Sequence, residues 1–294
     1  MLKNVEIIGV QSDSGAMRKG LNLGPSAIRN AGVCGKLSEL GFALRDKGDI
    51  IPAPCAGSRP RLINYEQVAN VNKSLFARVK DTLRDGAFPV ILGGDHGISA
   101  GSILATADHY GEIGVIWIDA HGDFNNEEST LTGYMNGMPL SAACGLGPAE
   151  MAPGTRHFID PKNAALLGVR DIDPPERLRL IDAGVTVLSI SEIDRIGLHE
   201  ALEKAIAAAS SGTKGIYVSF DIDAVTPESA PGVGYPAHRG LTVREAFFIA
   251  ETLYQCGKVL AVDMVEVNPV FDKKNMTAIL ACELILSLMG KTVF

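Results

Sequence analysis

The sequence predicts a three-layer αβα protein of the α/β class with a mostly parallel, doubly wound sheet. Two observations predict it: short apolar runs that are continuous rather than alternating, and stretches of helical periodicity that separate them. Strands of a parallel sheet are covered by helices on both faces, which favours unbroken apolar runs. Alternating strands and helices indicate a layered fold whose ligands bind at the carboxyl ends of the strands.

Several segments have the composition of buried strands. They lie at residues 5–10, 88–92, 113–118, 165–169, 185–188, 215–220 and 259–265. Helical periodicity is seen at residues 65–83, 198–210, 243–255 and 275–289. Glycine and proline mark loops at 145–153 and 227–240, and the proline-rich segment 52–61 is predicted to be a surface excursion. The apolar stretch 276–289 fits either an oligomer interface or an internal helix.

The size and composition favour one globular domain, residues 1–294. A chain of 294 residues with 46% hydrophobic side chains can bury a large core. The formal charge of -7 argues against a nucleic-acid partner. The N-terminus is unlike a signal peptide, and no stretch approaches the ~18 apolar residues of a membrane span. The five cysteines are dispersed, so we expect reduced thiols in a cytoplasmic protein with no membrane partner.

Three short acidic clusters follow apolar runs: GGDH at residues 93–96, DAHGD at 119–123 and DID at 221–223. In an extended strand end, residues two apart share a face, so Asp119, His121 and Asp123 can point into one pocket. If the strands are neighbours, two imidazoles and four or five carboxylates meet there. Like charge at that density stays ionised only with cations among it. The pattern therefore predicts a pair of divalent metal ions.

The ligand types favour manganese or a similar ion. Carboxylate oxygens with one or two imidazole nitrogens suit Mn²⁺, whereas the lack of thiolates argues against a structural zinc site. A metal pair can lower the pKa of a shared water and supply hydroxide at neutral pH. A single Asp-x-Asp is commonly a helix cap, and His96 alone would fit a hydrogen-bonded core histidine. Three clusters at successive strand ends favour the metal pair over these alternatives.

Longer motifs around the clusters resemble the signatures of the ureohydrolase family, which comprises arginases, agmatinases and their relatives. They are GGDHGIS (93–99), DAHGDFN (119–125) and SFDIDAVTPESAPG (219–232). Further segments resemble bacterial-type arginases, at residues 7–32, 169–176, 189–197 and 264–272. In the first of them, Gly24 and Pro25 open a helix. The resemblance spans nearly the whole chain and implies an arginase-like fold.

The resemblance implies two Mn²⁺ ions per subunit, with a ligand set for each. One ion would be held by His96, Asp119, Asp123 and Asp221, and the other by Asp119, His121, Asp221 and Asp223. Hydroxide would attack a guanidinium carbon to give an amine and urea, with Asp123 passing a proton toward the leaving amine. Glu266 would hold the guanidinium through two N–H bonds, although a salt-bridged loop residue is the alternative. Asp95 is expected to support the site rather than bind metal.

The resemblance also implies contacts to the amino-acid end of a substrate. Asn125 and Thr132 match residues that contact an α-carboxylate. Asp173 and Glu176 match acidic residues near an α-amino group, and Asp171 lies beside them. An agmatine pocket has no carboxylate to recognise, so these residues favour arginine. Alternatively, the acidic residues begin a helix, where carboxylates interact favourably with the helix dipole.

Three positions depart from arginases. Asn136 replaces a proton-shuttling histidine, and an amide cannot titrate near neutral pH. Tyr134 stands where arginases carry an asparagine, and Tyr235 replaces a small threonine beside the guanidinium site. A phenol adds bulk and a hydrogen-bonding group, so Tyr235 and Asn136 are both expected to contact the substrate. His238, in the same loop as Tyr235, is the candidate for a replacement proton carrier.

The sequence therefore predicts a metal-dependent amidinohydrolase, with hydrolysis of L-arginine to L-ornithine and urea as the first expectation. Agmatine, formiminoglutamate or another guanidino acid is the alternative substrate. A non-catalytic relative that keeps the metals is the second hypothesis, which Asn136 favours. Another α/β metallohydrolase, such as a deacetylase, is the third, and the DAHGDFN motif argues against it. The family resemblance implies a homotrimer or homohexamer.

Overall fold

One parallel sheet forms the centre of the molecule. The computed structural model describes residues 4–55, 57 and 59–292. Within them the strands are β1 (Asn4–Val10), β2 (Ala43–Ile50), β3 (Phe88–Leu92), β4 (Gly114–Ile118), β5 (Ala164–Leu167), β6 (Thr186–Leu188), β7 (Ile216–Asp221) and β8 (Val259–Val265). They form one 8-stranded sheet in the order β2-β1-β3-β8-β7-β4-β5-β6, and every pairing between them is parallel. This confirms the predicted α/β class and its parallel sheet.

Helices cover both faces of the sheet. In the described residues they are α1 (Gly24–Asn30), α2 (Val33–Glu39), α3 (Tyr65–Arg84), α4 (Ser99–Tyr110), α5 (Pro139–Ala143), α6 (Pro174–Ala183), α7 (Ile190–Ile196), α8 (Leu198–Ala209), α9 (Val243–Gln255) and α10 (Met276–Leu288). Helices α1, α2 and α7–α10 pack on one face, and α3–α6 pack on the other. None of these helices is both long enough and apolar enough to cross a membrane.

Side chains alternate between the two helical layers along each strand. In β4, Ile116 and Ile118 contact the layer that contains α8 and α9, whereas Val115 and Trp117 contact the opposite layer. All four are fully buried, which explains why the strand is continuously apolar. Helix α10 is also mostly buried, with its apolar residues in the core of the first layer. The apolar stretch 276–289 is therefore largely an internal helix.

The predicted elements agree closely with the structure. Each of the predicted strands is present, and the largest shift is two residues, at the end of β5. The four predicted helices are present to within one residue at either end, and α1 begins at Gly24. In segment 52–61, the described residues form no helix or named strand, as expected of a surface excursion, while residues 56 and 58 lie outside the described residues.

Among the described strands, β2 is the one that hydrophobic patterning does not predict. It lies at the sheet edge, its sequence is ALRDKGDI, and most of its side chains are exposed or half-buried. Arg29 in α1 holds it through ion pairs to Asp46 and Asp49, at 2.7 Å and 2.5 Å. The strand therefore depends on charged contacts from a neighbouring helix, and such contacts leave no apolar periodicity in the sequence.

A glycine at the start of β4 tests how tightly the helical layer packs on the sheet. A Cβ atom at Gly114 would lie 1.9 Å from the backbone oxygen of Ala209 at the end of α8. We expect Gly114→Ala to lower the free energy of unfolding by about 1–3 kcal/mol, because backbone atoms must move apart. Urea denaturation measures the change.

The matched control is Gly35→Ala in α2, where a Cβ atom would meet no heavy atom within 4 Å. Alanine in a helix interior is favoured over glycine, so this variant should gain about 0.5–1 kcal/mol. If Gly114→Ala were as stable as the control, the close approach of α8 to β4 would be contradicted.

Candidate metal centre

The acidic clusters converge at the carboxyl edge of the sheet. Strands β3, β8, β7 and β4 are consecutive neighbours in the sheet. His96 follows β3, the segment 119–123 follows β4, Asp221 ends β7, and Glu266 follows β8. Because parallel strands end at the same edge, residues that are distant in sequence meet there. The N–H of His96 donates to the carboxylate of Glu266 at 2.8 Å across 170 residues of sequence.

His96 is the centre of the first group of candidate ligands. Its Nδ1 atom lies 3.1 Å from one carboxylate oxygen each of Asp119, Asp123 and Asp221. His96 is 1% exposed, and Asp119 is fully buried. The ligand atoms of His96, Asp119 and Asp221 are close enough together to hold one ion. The four ligands predicted for the first ion therefore lie side by side.

His121 forms the second group with Asp119 and Asp223. Its Nδ1 atom lies 3.3 Å from Asp119 Oδ1 and 3.2 Å from Asp223 Oδ2. Asp119 belongs to both groups, since its Oδ2 atom contacts His96 and its Oδ1 atom contacts His121. This geometry suits the bridging position predicted for Asp119. Asp221 belongs to the first group, and its bridging role stays a prediction.

Burial and mutual repulsion disfavour the ionised forms of Asp123 and Asp221. Burial raises the pKa of Asp123 to about 6, and repulsion from Asp119 adds to the shift. Burial and the charge of Asp223 also raise the pKa of Asp221 well above its usual range. Burial opposes protonation of His96, but hydrogen bonds to three aspartates outweigh it and raise the histidine's pKa. Protons therefore compensate the negative charge wherever no cation does.

The donor set fits a pair of divalent metal ions. Each group offers one imidazole nitrogen together with carboxylate oxygens, and the cysteines lie in neither group of described residues. Oxygen with imidazole is a donor set for divalent ions of the manganese type rather than for a thiolate-bound metal. Two divalent ions carry as much positive charge as the four aspartates carry negative charge. Two bound ions would thus offset the repulsion between the buried carboxylates.

Two strand residues hold the ligands from behind. Trp117 donates from Nε1 to Asp119 Oδ2 at 2.9 Å, and its ring stacks on His96 with centroids 4.0 Å apart. The Ser219 hydroxyl lies 2.8 Å from His96 Nε2 and donates to Asp263 at 2.7 Å. With Nε2 bonded to the serine, Nδ1 is the nitrogen that faces the carboxylates. Sequence reasoning missed Trp117 and Ser219, although each lies two positions before a ligand and so shares its face.

Arg170 is a further residue that sequence reasoning missed. Its guanidinium donates to the backbone carbonyls of Gly168, Asp223, Ala224, Ala237 and His238, at 2.7–3.3 Å. One side chain thereby joins the loop after β5 to the loops that contain Asp223 and Tyr235. Burial lowers the pKa of Arg170, and the negative charge of the nearby aspartates partly offsets this lowering. No sequence pattern marks such a residue, because its partners are main-chain atoms.

Asp95 and Glu266 shape the loop that carries His96. Asp95 accepts hydrogen bonds from the Gly97 N–H at 3.0 Å and the Ser12 hydroxyl at 3.1 Å, and burial raises its pKa to about 6. It lies in neither ligand group, as expected of a supporting residue. Glu266 is 3% exposed, and burial raises its pKa to about 8. The described residues form no ion pair with Glu266, which argues against the salt-bridge alternative.

A cavity of about 290 Å³ opens above the two ligand groups. Its lining includes all the residues predicted to contact substrate, namely Asn125, Thr132, Asn136, Asp173, Glu176 and Tyr235. Tyr134 and Asp171 line it as well. His238 is not among the described lining residues, and its exposed imidazole lies 3.5 Å from Glu228 instead. The geometry therefore gives no support to His238 as a proton carrier.

The acidic side of the cavity is also the start of a helix. Asp173 is the N-cap of α6, and Glu176 lies in its first turn, as the helix-start alternative predicts. Glu176 nevertheless points inward: it is 4% exposed and accepts a hydrogen bond from the Phe124 N–H at 2.8 Å. Burial raises its pKa to about 8. The Asp173 side chain makes no capping hydrogen bond, and both residues line the cavity, so a place at the helix start is compatible with substrate contact.

Known proteins share this fold and sequence over nearly the full chain. Residues 3–290 match the model of the Arginase family. The chain belongs to the arginase family. It is 38% identical to the arginase of Bacillus caldovelox over 296 residues, which covers 99% of either protein. The native structure of the Bacillus caldovelox arginase superimposes on this chain with a TM-score of 0.96 at 38% identity, and the match covers 100% of both chains. The arginase structure from Bacillus cereus gives a TM-score of 0.93 at 39% identity and covers 99% of this chain and 100% of that one.

Membership of the arginase family confirms the ureohydrolase resemblance and its bacterial-type arginase character. It also confirms the arginase-like fold and the prediction of a metal-dependent amidinohydrolase. The two adjoining ligand groups agree with the binuclear site that the family implies. The complete ligand sets and the identity of the metal belong to the proposals below.

The second ligand group is expected to lose its ion when its carboxylate is neutralised. In Asp223→Asn an uncharged amide replaces the oxygen that lies 3.2 Å from His121 Nδ1. We expect metal content after loading to fall from two ions to about one per chain, because the remaining group keeps its ligands. Elemental analysis after dialysis measures the content.

Asp171→Asn is the matched control, since Asp171 lines the cavity but lies in neither ligand group. It should retain both ions. Two ions retained by Asp223→Asn with undiminished affinity would contradict the assignment of the second group.

Proposed function

We propose that the chain hydrolyses a guanidinium compound with the help of two Mn²⁺ ions, and that its substrate is L-arginine, which yields L-ornithine and urea. The observation that carries the proposal is the buried carboxylate of Glu266 in an acidic cavity that ends at both ligand groups. Membership of the arginase family supports the same reaction.

The charge of the cavity suits a cationic substrate. Its carboxylates are those of Asp123, Asp171, Asp173, Glu176, Asp221, Asp223 and Glu266. Among the described lining residues, Arg18 is the one permanent cation. Two divalent ions would offset the four ligand aspartates, including Asp119. The remaining carboxylates are then available to a guanidinium and an ammonium group.

The proposed reaction breaks the bond between the guanidinium carbon and the substrate's side-chain nitrogen. Bound metal ions would supply an ionised water at neutral pH. Glu266 holds the planar guanidinium through N–H bonds and fixes the position of its carbon. This hydroxide would add to that carbon. Asp123 would take the remaining proton of the added hydroxyl group and deliver it to the leaving nitrogen as the carbon–nitrogen bond breaks. The products are urea and a primary amine, which is ammonium in solution.

Polar groups at the rim favour an amino acid over a simple amine. We assign Asp173 and Glu176 to the α-ammonium, and Asn125 and Thr132 to the α-carboxylate. The side-chain oxygen of Asn125 accepts a hydrogen bond from the Ser129 hydroxyl at 2.8 Å. Its NH₂ group is then the end that can donate to a carboxylate. Agmatine has no carboxylate and would leave these donors without their partner.

Manganese, a cytoplasmic location and self-association complete the proposal. Carboxylate and imidazole donors without thiolates suit Mn²⁺. All the cysteines are free, as in a reducing compartment. A homotrimer or homohexamer, and a single domain over residues 1–294, rest on the resemblance to arginases.

A catalytically weak relative is the second candidate, and Asn136 is the observation that favours it. Asn136 lines the cavity, and its N–H donates to the backbone oxygen of Gly15 at 3.1 Å. An amide side chain at this position cannot carry a proton to or from the leaving amine near neutral pH. The reaction would then depend on Asp123 and solvent for proton transfer.

Urea release after manganese loading tests the proposal. The substrates are L-arginine, agmatine, guanidinobutyrate, formiminoglutamate and guanidine. Formiminoglutamate would give formamide instead of urea, so formamide is measured for that compound. We expect L-arginine to have the highest kcat/KM. Glu266→Gln should lower that value by about 10²–10³-fold, because the carboxylate that holds the guanidinium is lost.

Glu200→Gln in α8 is the matched control, because Glu200 is an exposed residue outside the cavity. Its activity should equal that of the parent chain. The proposal would be wrong if no compound were hydrolysed by protein that carries two ions, or if Glu266→Gln retained full activity.

Restoring a titratable group at position 136 separates the two candidates. If the chain is a working but impaired catalyst, Asn136→His should raise kcat for L-arginine by about 10-fold or more, since a positioned acid or base contributes on this scale. The size of the gain should change with pH across the range near neutrality in which an imidazole titrates. A variant with unchanged kcat would show that the histidine is not what limits the reaction.

A further inference from the structure

Two aromatic rings and a guanidinium form a stack at the mouth of the cavity. The guanidinium carbon of Arg18 lies 6.0 Å from the ring centroid of Tyr235 and 5.5 Å from that of Phe271. Arg18 and Tyr235 line the cavity. A cation near the face of a ring attracts it, by about 0.5–1 kcal/mol at exposed sites. Arg18 therefore helps to hold in place the ring of Tyr235, a residue that is 51% exposed.

On its inner side, the Tyr235 ring lies against His121. The two ring centroids are 5.5 Å apart, with an interplanar angle of 64°. The Nε2 atom of His121 is buried and has no hydrogen-bond partner among the described residues. The tyrosine ring thus covers the outer side of a candidate metal ligand, in an edge-to-face arrangement that aromatic groups prefer. A small side chain at this position would leave that space open.

The backbone on either side of Tyr235 is fixed as well. At Gly234, a Cβ atom would lie 2.2 Å from Glu266 Oε2, so the main chain passes directly along the proposed guanidinium site. Beyond Tyr235, Arg170 binds the carbonyls of Ala237 and His238 at 2.8 Å and 2.9 Å. The ring therefore lies against the imidazole of His121. It belongs to a segment that borders Glu266 at Gly234 and that Arg170 binds at Ala237 and His238.

We propose that Tyr235 determines which guanidinium groups the site accepts: its ring is a wall that admits an unsubstituted terminal guanidinium and excludes one with a substituent on a terminal nitrogen. The inference rests on the proposed function, because it assumes that Glu266 holds the guanidinium. A group bound by Glu266 lies beside Gly234, and the next side chain along that wall is Tyr235. An added methyl group would meet a ring that lies against His121 and near the guanidinium of Arg18.

The test compares L-arginine with Nω-methyl-L-arginine, which carries one methyl group on a terminal nitrogen. A misfit of this size in a rigid pocket is worth about 10–200-fold in kcat/KM. We expect the parent chain to prefer L-arginine strongly, and Tyr235→Thr to reduce that preference by at least about 10-fold. Tyr235→Phe, which keeps the ring and removes the hydroxyl, should retain the preference to within about threefold.

Arg18→Met tests the support behind the ring. It removes the cation, keeps a long side chain, and should reduce the preference to a value between those of the parent chain and Tyr235→Thr. Any general loss of substrate binding by this variant affects both compounds and cancels in the ratio. An unchanged ratio in Tyr235→Thr, or an equal loss of preference in Tyr235→Phe, would overturn the proposal.

Binding measurements keep this inference distinguishable from the proposed hydrolysis. Calorimetry gives dissociation constants of both compounds for the metal-loaded chain and each variant, independent of turnover, and thermal melting verifies that each variant is folded. If neither compound yields L-ornithine but Tyr235→Thr still reduces the binding preference, the proposed reaction is wrong and the wall is supported. If L-arginine yields urea while Tyr235→Thr changes neither the ratio of kcat/KM values nor the ratio of dissociation constants for the two compounds, the reaction stands and the wall is wrong.

Discussion

Four aspartates, none more than 7% exposed, share one corner of the sheet with two histidines, and the rest of the site depends on how their negative charge is compensated. Buried carboxylates a few ångströms apart cannot all stay ionised on their own. A proton on His96 compensates part of the charge, which is why its pKa is raised despite burial. Two divalent ions compensate it fully, and they also satisfy the oxygen atoms that protons leave without partners. The same charge that would disrupt an ordinary core therefore becomes a binding site for cations.

Repulsion of this kind would push the ligands apart if they were held only by flexible loops, and the structure opposes it from outside the cluster. Neighbouring parallel strands fix where the ligand-bearing segments begin. The ring of Trp117 and the hydroxyl of Ser219 orient His96 from the core side. Asp263 in turn accepts a hydrogen bond from the Ser219 hydroxyl. Arg170 connects the main chain around Asp223 to two other loops. These contacts come from the protein itself and hold the candidate ligands close together.

The fold and the candidate ligand groups could be predicted from sequence, because apolar periodicity marks the strands and residue spacing marks side chains that share one face. Continuous apolar runs marked the strands, and the i, i+2 spacing after them marked ligands such as Asp119 and His121. Strand β2 could not be predicted because its contacts, ion pairs from Arg29, come from another part of the chain. Arg170 could not be predicted either, since it binds backbone oxygens that carry no residue identity. The loop at residues 227–240 shows the same limit. The sequence suggested a role in the site for both Tyr235 and His238, and of these two only Tyr235 is among the described residues that line the cavity.

The site consists of two layers that respond differently to sequence change. In the metal layer, replacing a single ligand changes the balance between buried charge and bound cations in its own group. In the layer above, Asn136 is bound through its backbone to Gly15, and its side chain can change without disturbing the ligand groups. Tyr235 connects the two layers, because one ring both lines the cavity and covers His121. A change at Asn136 should therefore alter proton transfer and substrate contact while leaving the ligand groups in place. A change at Tyr235 should alter the shape of the cavity and the surroundings of His121 together.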